Sequence, residues 1–469
     1  MSEPRNLRSR LAAADSRKLA RWLGDRARGG ARRAAWHASR WRMQARDALG
    51  LAGRLPPGSL RASALTDATS DDRFYLKQLE RHGPIFKLFW GSGELKICVV
   101  GFPRGRRLLN EHRAVLMHPA ARDITPLVPA NYLRSMAPEI HPHYRRLLKG
   151  ALPDALVAAA EPELRAILRD ELLGLAEGAG PRKPGERLFD ALDRISLAVL
   201  LRLIFGVRPE ASAARGFEDA FHRLGPEGWL AAVGPEQVAA FGAIRSALLQ
   251  LVTSLRRGDA VELGDAMLPR LVSERLEAVD DTVIGNLVYV VERGRHDLRD
   301  LLRWVVKHLS DDPSAVADLH AALAAGPGGS QLARACVLET LRLDQAESVN
   351  REALEDFAFE GYRFPAGSAV SILTRETHRD PGVFPEPDRF RPARFLERSY
   401  SSDEYAPFGI GDHQCIAASL VVAVATLFVE ELAGSFTWSV IDDGPRRYQA
   451  GRYHWEPSSR FAIALVPKP

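Results

Sequence analysis

A phenylalanine, a glycine and a cysteine recur at fixed spacing in Phe408-Gly409-Ile410-Gly411-Asp412-His413-Gln414-Cys415, directly ahead of the uncharged run Ile416 to Val429. A cysteine so placed opens an apolar helix, where the helix dipole and free backbone N–H groups favour a thiolate over a thiol. A thiolate is a nucleophile or a soft metal ligand. Gly411 permits a tight backbone turn beneath it, and Phe408 can cover the sulfur and limit its contact with solvent. The same residues also suit a structural cysteine buried ahead of a core helix, and this segment alone leaves both readings open.

A second set lies upstream. Glu339-Thr340-Leu341-Arg342 places Glu339 and Arg342 at i, i+3 on one helical face, where they can pair. Alone such a pair usually sits on a surface. Here it precedes Cys415 by 73 residues, with Pro392-Ala393-Arg394-Phe395, His378-Arg379-Asp380-Pro381 and Phe384-Pro385-Glu386-Pro387 in between. Taken in this order, the motifs resemble those of the cytochrome P450 family, whose cysteine loop reads FxxGxxxCxG and whose helix motif reads ExxR. The chain departs at Ala417, where glycine is usual; alanine is still small.

That resemblance implies a mainly α fold with a small β part, a single large domain of cytochrome P450 type enclosing a haem b (iron protoporphyrin IX). Cys415 is then the axial ligand to the iron, Phe408 and Gly411 shape its loop, and Arg394 joins Glu339 and Arg342 in a buried network behind the loop. The haem carboxylates need cationic or hydrogen-bonding partners. The resemblance points to His141 and Arg145 of His141-Pro142-His143-Tyr144-Arg145-Arg146, to Arg351 and to His413. His141 and Arg145 at i, i+4 share a helical face.

Above the haem the family usually carries a glycine, an acid and a threonine on a long central helix. Matching on Trp304 sets Arg293-Gly294-Arg295-His296-Asp297 there, with Gly294 in place, His296 where the acid is expected and Asp297 where the threonine is expected. In one reading Asp297, alone or with His296, relays protons or orders a water. In the other, this charged stretch forms salt bridges within the helix packing. The implied activity is monooxygenation of a small organic molecule by O2, with electrons from a separate ferredoxin-like donor docking near Arg145, Arg146 and Lys149. A peroxygenase or isomerase that bypasses the usual O2 cycle, and a non-catalytic haem or ligand-binding protein, remain open beside it. Charged residues such as Arg293, Asp297 and Glu347 in the implied pocket segments hint at a polar or acidic group on the substrate.

The elements that must hold these residues read as follows. Two β runs, residues 85–90 and 96–100, flank Gly91-Ser92-Gly93 and predict a hairpin. Gly101-Phe102-Pro103 opens a helix. From Glu161 to about Leu319 the periodicity is helical, with residues 282–309 the longest helix and Ser310-Asp311-Asp312-Pro313 capping the next. Further helices are expected over 331–343 and from Cys415 to about 432, with short strands around 353–364, 370–373 and after Gly434.

A length of 469 residues with 46% hydrophobic and 26% charged residues is globular composition. Three cysteines argue against a disulfide framework and for a reducing compartment. With no run of about 18 apolar residues a spanning helix is not expected, and the cytoplasm is the expected compartment. Residues 1–50 hold twelve arginines and Lys18 against Glu3, Asp15, Asp25 and Asp47, an excess of nine positive charges. This basic leader, taken as residues 1–75 ahead of a haem domain over 76–469, interleaves arginine with Leu7, Leu11, Leu19, Trp22, Leu23, Trp36 and Trp41. It reads either as a helix on an anionic membrane surface or acidic partner, or as a solvated extension; nucleic acid is not the expected partner.

Overall fold

The computed structural model describes residues 53–59, 70–89, 95–118, 127–178, 183–225, 234–259, 263–275, 279–326, 328–345, 348–449 and 454–469, with the single residues Trp41, Ala45 and Glu277. Most of the basic leader, the Gly91–Gly93 turn and Glu347 fall outside the described residues. The chain divides into two units, one built from residues 1–99, 112–117 and 351–371, the other from 100–111, 118–350 and 372–469.

The smaller unit is centred on a sheet. Strands β1 (Ile85–Phe89) and β2 (Leu95–Val99) pair antiparallel, as expected of two β runs flanking a glycine turn, and each is buried along its whole length. With β3 (Leu116–Met117), β4 (Val349–Ala353) and β7 (Ala369–Ile372) they form a sheet of order β1-β2-β7-β4-β3, while β5 (Phe357–Phe359) and β6 (Tyr362–Phe364) make a separate hairpin. Helix α1 (Phe74–His82) precedes β1. The Pro56-Pro57-Gly58 turn, which the sequence places within the leader, runs along β1: Lys87 N donates to Pro57 O at 2.8 Å. Gly58, at φ 129°, approaches so closely that a Cβ would fall 2.2 Å from Lys87 O.

The larger unit is helical. Its helices are α2 (Phe102–Glu111), α3 (His141–Gly150), α4 (Ala155–Glu177), α5 (Pro184–Leu200), α6 (Ser212–Arg223), α7 (Pro235–Arg257), α8 (Met267–Glu274), α9 (Asp281–Asp311), α10 (Pro313–Ala325), α11 (Gly328–Thr340), α12 (Thr374–Thr377), α13 (Arg394–Glu397) and α14 (Ala418–Ser435). Strands β8 (Phe436–Asp442) and β11 (Ala462–Pro467) pair with each other, as do β9 (Arg446–Gln449) and β10 (His454–Pro457). The long helix expected over 282–309 is α9. Asp280 caps it by accepting from Val283 N at 2.8 Å, and Asp312 caps α10 by accepting from Ala315 N at 3.0 Å, with Pro313 at the first helical position as the sequence predicts.

Helix α9 packs on α5, α11 packs on α14, and α4 bridges α14 and α5. Among the described residues two helices, α7 and α14, are long and apolar enough to cross a membrane by length and composition, with mean hydropathy 1.5 and 1.6. Reading runs of uncharged residues did not reveal α7, whose apolar residues are broken by polar ones. Helix α14 lines the core with Val424, Phe428, Val429 and Leu432, and α7 turns Phe241, Ile244, Leu248 and Val252 inward.

A second ionic centre holds the far end of α9. Asp344, in a π-helical turn over Leu341–Gln345 that continues α11, is wholly buried. Burial alone would raise its carboxyl, but the hydrogen bond from His308 and the charges of Arg375 and Arg446 hold it well below the ordinary carboxylate range. His308 lies 3.1 Å away, Arg375 3.3 Å and Arg446 3.4 Å. Replacing Asp344 by Asn leaves Arg375 and Arg446 without their anion. The expected cost is about 3–5 kcal/mol, read as a lowered denaturant midpoint at unchanged slope.

Candidate active site

The cysteine loop closes on itself. Gly409 and Gly411 take φ 82° and 75°, which side chains rarely adopt; residues Gly411–His413 form one 3-10 turn. Cys415 N donates to Phe408 O at 3.0 Å and Gln414 N to Gly411 O at 3.2 Å. Cys415 is exposed, whereas Cys98 and Cys336 are buried, and burial pushes the Cys336 thiol up to about 12. Only Cys415 is therefore presented for chemistry.

Helix α14 begins at Ala418 and not at Cys415 as the sequence suggests, because Ile416 and Ala417 form a turn with Ala417 at the cap. Since a helix dipole acts within its first turn, its effect on the sulfur is smaller than expected. The charge near the sulfur is Arg145: burial lowers its guanidinium, and the negative charges of Cys415 and Asp412 work against that. A cation beside a thiol favours the thiolate.

Three of the expected carboxylate partners stand close together in the helical unit: Arg145, which feels the charge of Cys415, His141 and His413. His141, nearly fully buried, and the half-buried Arg145 share a face of α3, and the His141 ring lies 4.3 Å from that of His413. Arg351 is buried on β4. Two residues carried no signal in any motif: His118 lies 6.0 Å from the His413 ring, and Arg134 Nε donates to His118 Nε2 at 2.7 Å. A single accessible thiol with cationic and imidazole donors grouped near it fits a metal-bearing group that also carries carboxylates, as haem does.

Behind the loop, Glu339, Arg342 and Arg394 meet as expected, all essentially without exposure. Arg342 holds the Glu339 carboxylate with Nε at 2.8 Å and Nη2 at 2.9 Å, and Arg394 Nε reaches Oε1 at 3.0 Å. Their remaining N–H groups go to backbone carbonyls: Arg342 to His378, Pro387 and Arg389, Arg394 to Pro385 and Glu386. Ala406 N donates to His378 Nε2 at 3.0 Å and the Tyr405 hydroxyl to Leu338 O at 2.8 Å. These bonds tie α11 to the strand of chain that enters the cysteine loop.

On α9 every residue from 282 to 309 is buried except Val290, Arg293, Gly294 and Asp297. Their i, i+3, i+4, i+7 spacing makes them one open stripe. Gly294 stands beside α5, where a Cβ would come 3.1 Å from Leu200 Cδ1. Asp297 Oδ2 pairs with Arg293 Nε at 3.2 Å. His296 lies on another face and is fully buried. Its Nε2 meets Glu292 Oε1 at 3.1 Å and Arg295 Nη2 at 3.2 Å, and its Nδ1 meets Arg299 Nη1 at 3.0 Å. Arg299 continues to Asp193 of α5 at 3.1 Å and Asp300 at 2.9 Å. His296 thus joins the helix-packing salt bridges, while Asp297, paired with Arg293, lies on the accessible stripe.

The Cytochrome P450 family model matches residues 330–452, the span from α11 through the cysteine loop. Over that span the chain is similar to cytochromes P450. It is 25% identical over 432 residues to abscisic acid 8'-hydroxylase 2 of Oryza sativa subsp. indica, covering 83% of this chain and 82% of that one. It is 27% identical over 241 residues to abscisic acid 8'-hydroxylase 1 of Arabidopsis thaliana, covering 48% and 50%. In fold the chain is similar to the retinoic acid bound cyanobacterial CYP120A1, with a TM-score of 0.69 at 19% identity over 88% of this chain and 100% of that one. It is also similar to cytochrome P450EX alpha (CYP152N1) with myristic acid, with a TM-score of 0.65 at 16% identity over 88% and 99%. The fold is accordingly a single P450-like one, mainly helical with some sheet, and the protein is an oxidoreductase of the monooxygenase type that uses haem.

His378 gives the P450 site a pH dependence. Burial first, and then the charges of Arg342 and Arg379, hold its imidazole well below the ordinary histidine range. The folded protein thus keeps it neutral while the unfolded chain takes up a proton near pH 6.5. Its contribution is complete above about pH 6.5 and is lost as pH falls, at up to about 1.4 kcal/mol per pH unit. Subtracting the unfolding free energies of His378→Gln from those of wild type should recover that slope between about pH 6.5 and 5. A flat difference contradicts a neutral buried His378.

Proposed function

We propose that this P450 inserts one oxygen atom from O2 into a small organic molecule, with electrons supplied by a separate ferredoxin-like donor. The observation that carries the reading is the exposed Cys415 on a closed two-glycine loop, beside the Arg145 cation and backed by the Glu339 network. Its cofactor is haem b: cysteines at 98, 336 and 415 cannot form the Cys-x-x-Cys-His attachment of a covalent haem. When bound, a thiolate-ligated haem supplies the O–O cleaving chemistry. The chain's own residues do the rest. Cys415 ligates, His141, Arg145, Arg351 and His413 bind carboxylates, and Asp297 on the open stripe holds a proton or water.

Arg146 and Lys149 are exposed on the same helix as Arg145, which suits an acidic electron donor steered by charge. The curated relatives are named for hydroxylating abscisic acid; from them comes the reaction class, hydroxylation of a small molecule. The leader makes peripheral contact with an anionic surface through its arginines while the haem domain stays cytoplasmic.

A peroxygenase or isomerase is the second reading, favoured by His296 and Asp297 standing where the acid and alcohol are usual. Turnover under isotopically labelled O2 with a reduced donor separates the two: one labelled oxygen in the product supports monooxygenation. Product formed with peroxide alone and never carrying label from O2 overturns it. Under the same conditions Asp297→Ala should slow product formation by about a hundredfold while the haem content stays unchanged. An unaltered ratio of product to reductant consumed removes Asp297 from the mechanism.

A further inference from the structure

The chain between residues 127 and 136 is fastened to α9 along its whole length. Asn286, fully buried, accepts from Leu133 N at 2.7 Å and donates to the carbonyls of Thr282 at 2.8 Å and Asn131 at 3.2 Å. Thr282 Oγ1 accepts from Ala130 N at 3.3 Å. Gly285 admits Val128 so closely that a Cβ would lie 2.5 Å from Val128 Cγ2. The Tyr132 ring stacks on Tyr289 of α9 at 4.2 Å and 17°. Asn131, at φ 66°, reverses the backbone, and the segment then closes in the 3-10 turn Leu133–Ser135.

That turn carries Arg134, and fixing the turn fixes the arginine. Its Nε–H donates to His118 Nε2 at 2.7 Å. A guanidinium cannot accept a hydrogen bond, so this histidine nitrogen is the unprotonated one and the ring proton sits on Nδ1. His118 is thereby a donor at Nδ1. Its ring lies 6.0 Å from that of His413, which lies 4.3 Å from His141, one helical turn from Arg145 on α3. Two guanidiniums and three imidazoles therefore converge from four separate segments. Such a set matches a rigid group bearing two carboxylates.

We propose that Arg134 and His118 form a second arm of the haem-carboxylate cradle, joined through His413 to the arm of His141 and Arg145, and that Asn286 is the positioning residue that locks this arm. The inference rests on the haem reading above and adds residues outside the motifs that led to it.

The test follows transfer of haem from the holoenzyme to apomyoglobin. Wild type, Arg134→Met, Arg134→Lys, Asn286→Leu and the Arg134→Met/Asn286→Leu pair are each loaded with ordinary haem or with its dimethyl ester, which lacks the carboxylates. Arg134→Met should lose ordinary haem about tenfold faster, with Arg134→Lys recovering part of the loss, and both should release the diester at the wild-type rate. Asn286→Leu should also speed loss of ordinary haem, yet add little on top of Arg134→Met, since both act through one arm. Equal acceleration for the two haems would show a merely structural role, and unchanged rates no role; either result overturns the proposal while leaving the haem reading intact. A wild-type chain that takes up neither haem overturns both.

Discussion

The structure depends on one buried carboxylate. Glu339 is surrounded by Arg342, Arg394 and the Arg391 amide, and an ionised group so deep is tolerable only because every lone pair is answered. Two guanidiniums around one carboxylate leave an excess positive charge, which is spread over five backbone carbonyls of the irregular chain 378–389. That is how a segment with little regular structure becomes rigid. Its rigidity passes through His378 and Tyr405 to the cysteine loop. Removing one partner strands the others without solvent, a cost of about 3–5 kcal/mol, and the sulfur loses its fixed position with it.

Charge plays a different part on α9. A helix that is apolar all round would be the simplest solution for a buried span. Instead α9 buries Glu292, Arg295, His296, Arg299, Asp300, Arg303 and Lys307. Most of these meet partners off the helix axis: Asp193 for Arg299, the carbonyls of Pro457 and Ser458 for Arg303, Asp443 for Lys307. Arg299 and Arg303 also lie over the Phe189 ring, at 4.2 and 5.3 Å, where a cation gains from the ring face. Such pairs fix register more surely than they add stability. By holding the angle of α9 about its axis, they decide that Arg293 and Asp297 occupy the open stripe.

What could be read from the sequence follows from how local each signal is. Cys415, Gly411 and the Glu339–Arg342 pair declare themselves by short spacing, and Arg394 follows from its place in the order of motifs. Helix α9 and the cap at Asp312 are equally legible, since periodicity and capping act over a few residues. The start of α14 was misplaced by three residues because Ile416 and Ala417 continue the apolar pattern through a turn. The second glycine of the loop, Gly409, was visible, but its positive φ was not. Nothing in the sequence joins Arg134 to His118 or Asp344 to His308, Arg375 and Arg446, because those contacts link distant segments through packing. That Gly294 and Asp297 share a face of α9 while His296 points elsewhere follows from their i, i+3 spacing alone.

The central claim is that Cys415 is a thiolate ligand to haem iron. The carbon monoxide difference spectrum of the reduced holoenzyme tests it most directly, since the strong electron donation of a thiolate moves the main absorption band well to the red of that given by a neutral nitrogen ligand. The account predicts the red-shifted thiolate band in wild type and its loss in Cys415→Ser. A wild-type band at the nitrogen-ligand position, or a thiolate band that survives Cys415→Ser, contradicts it.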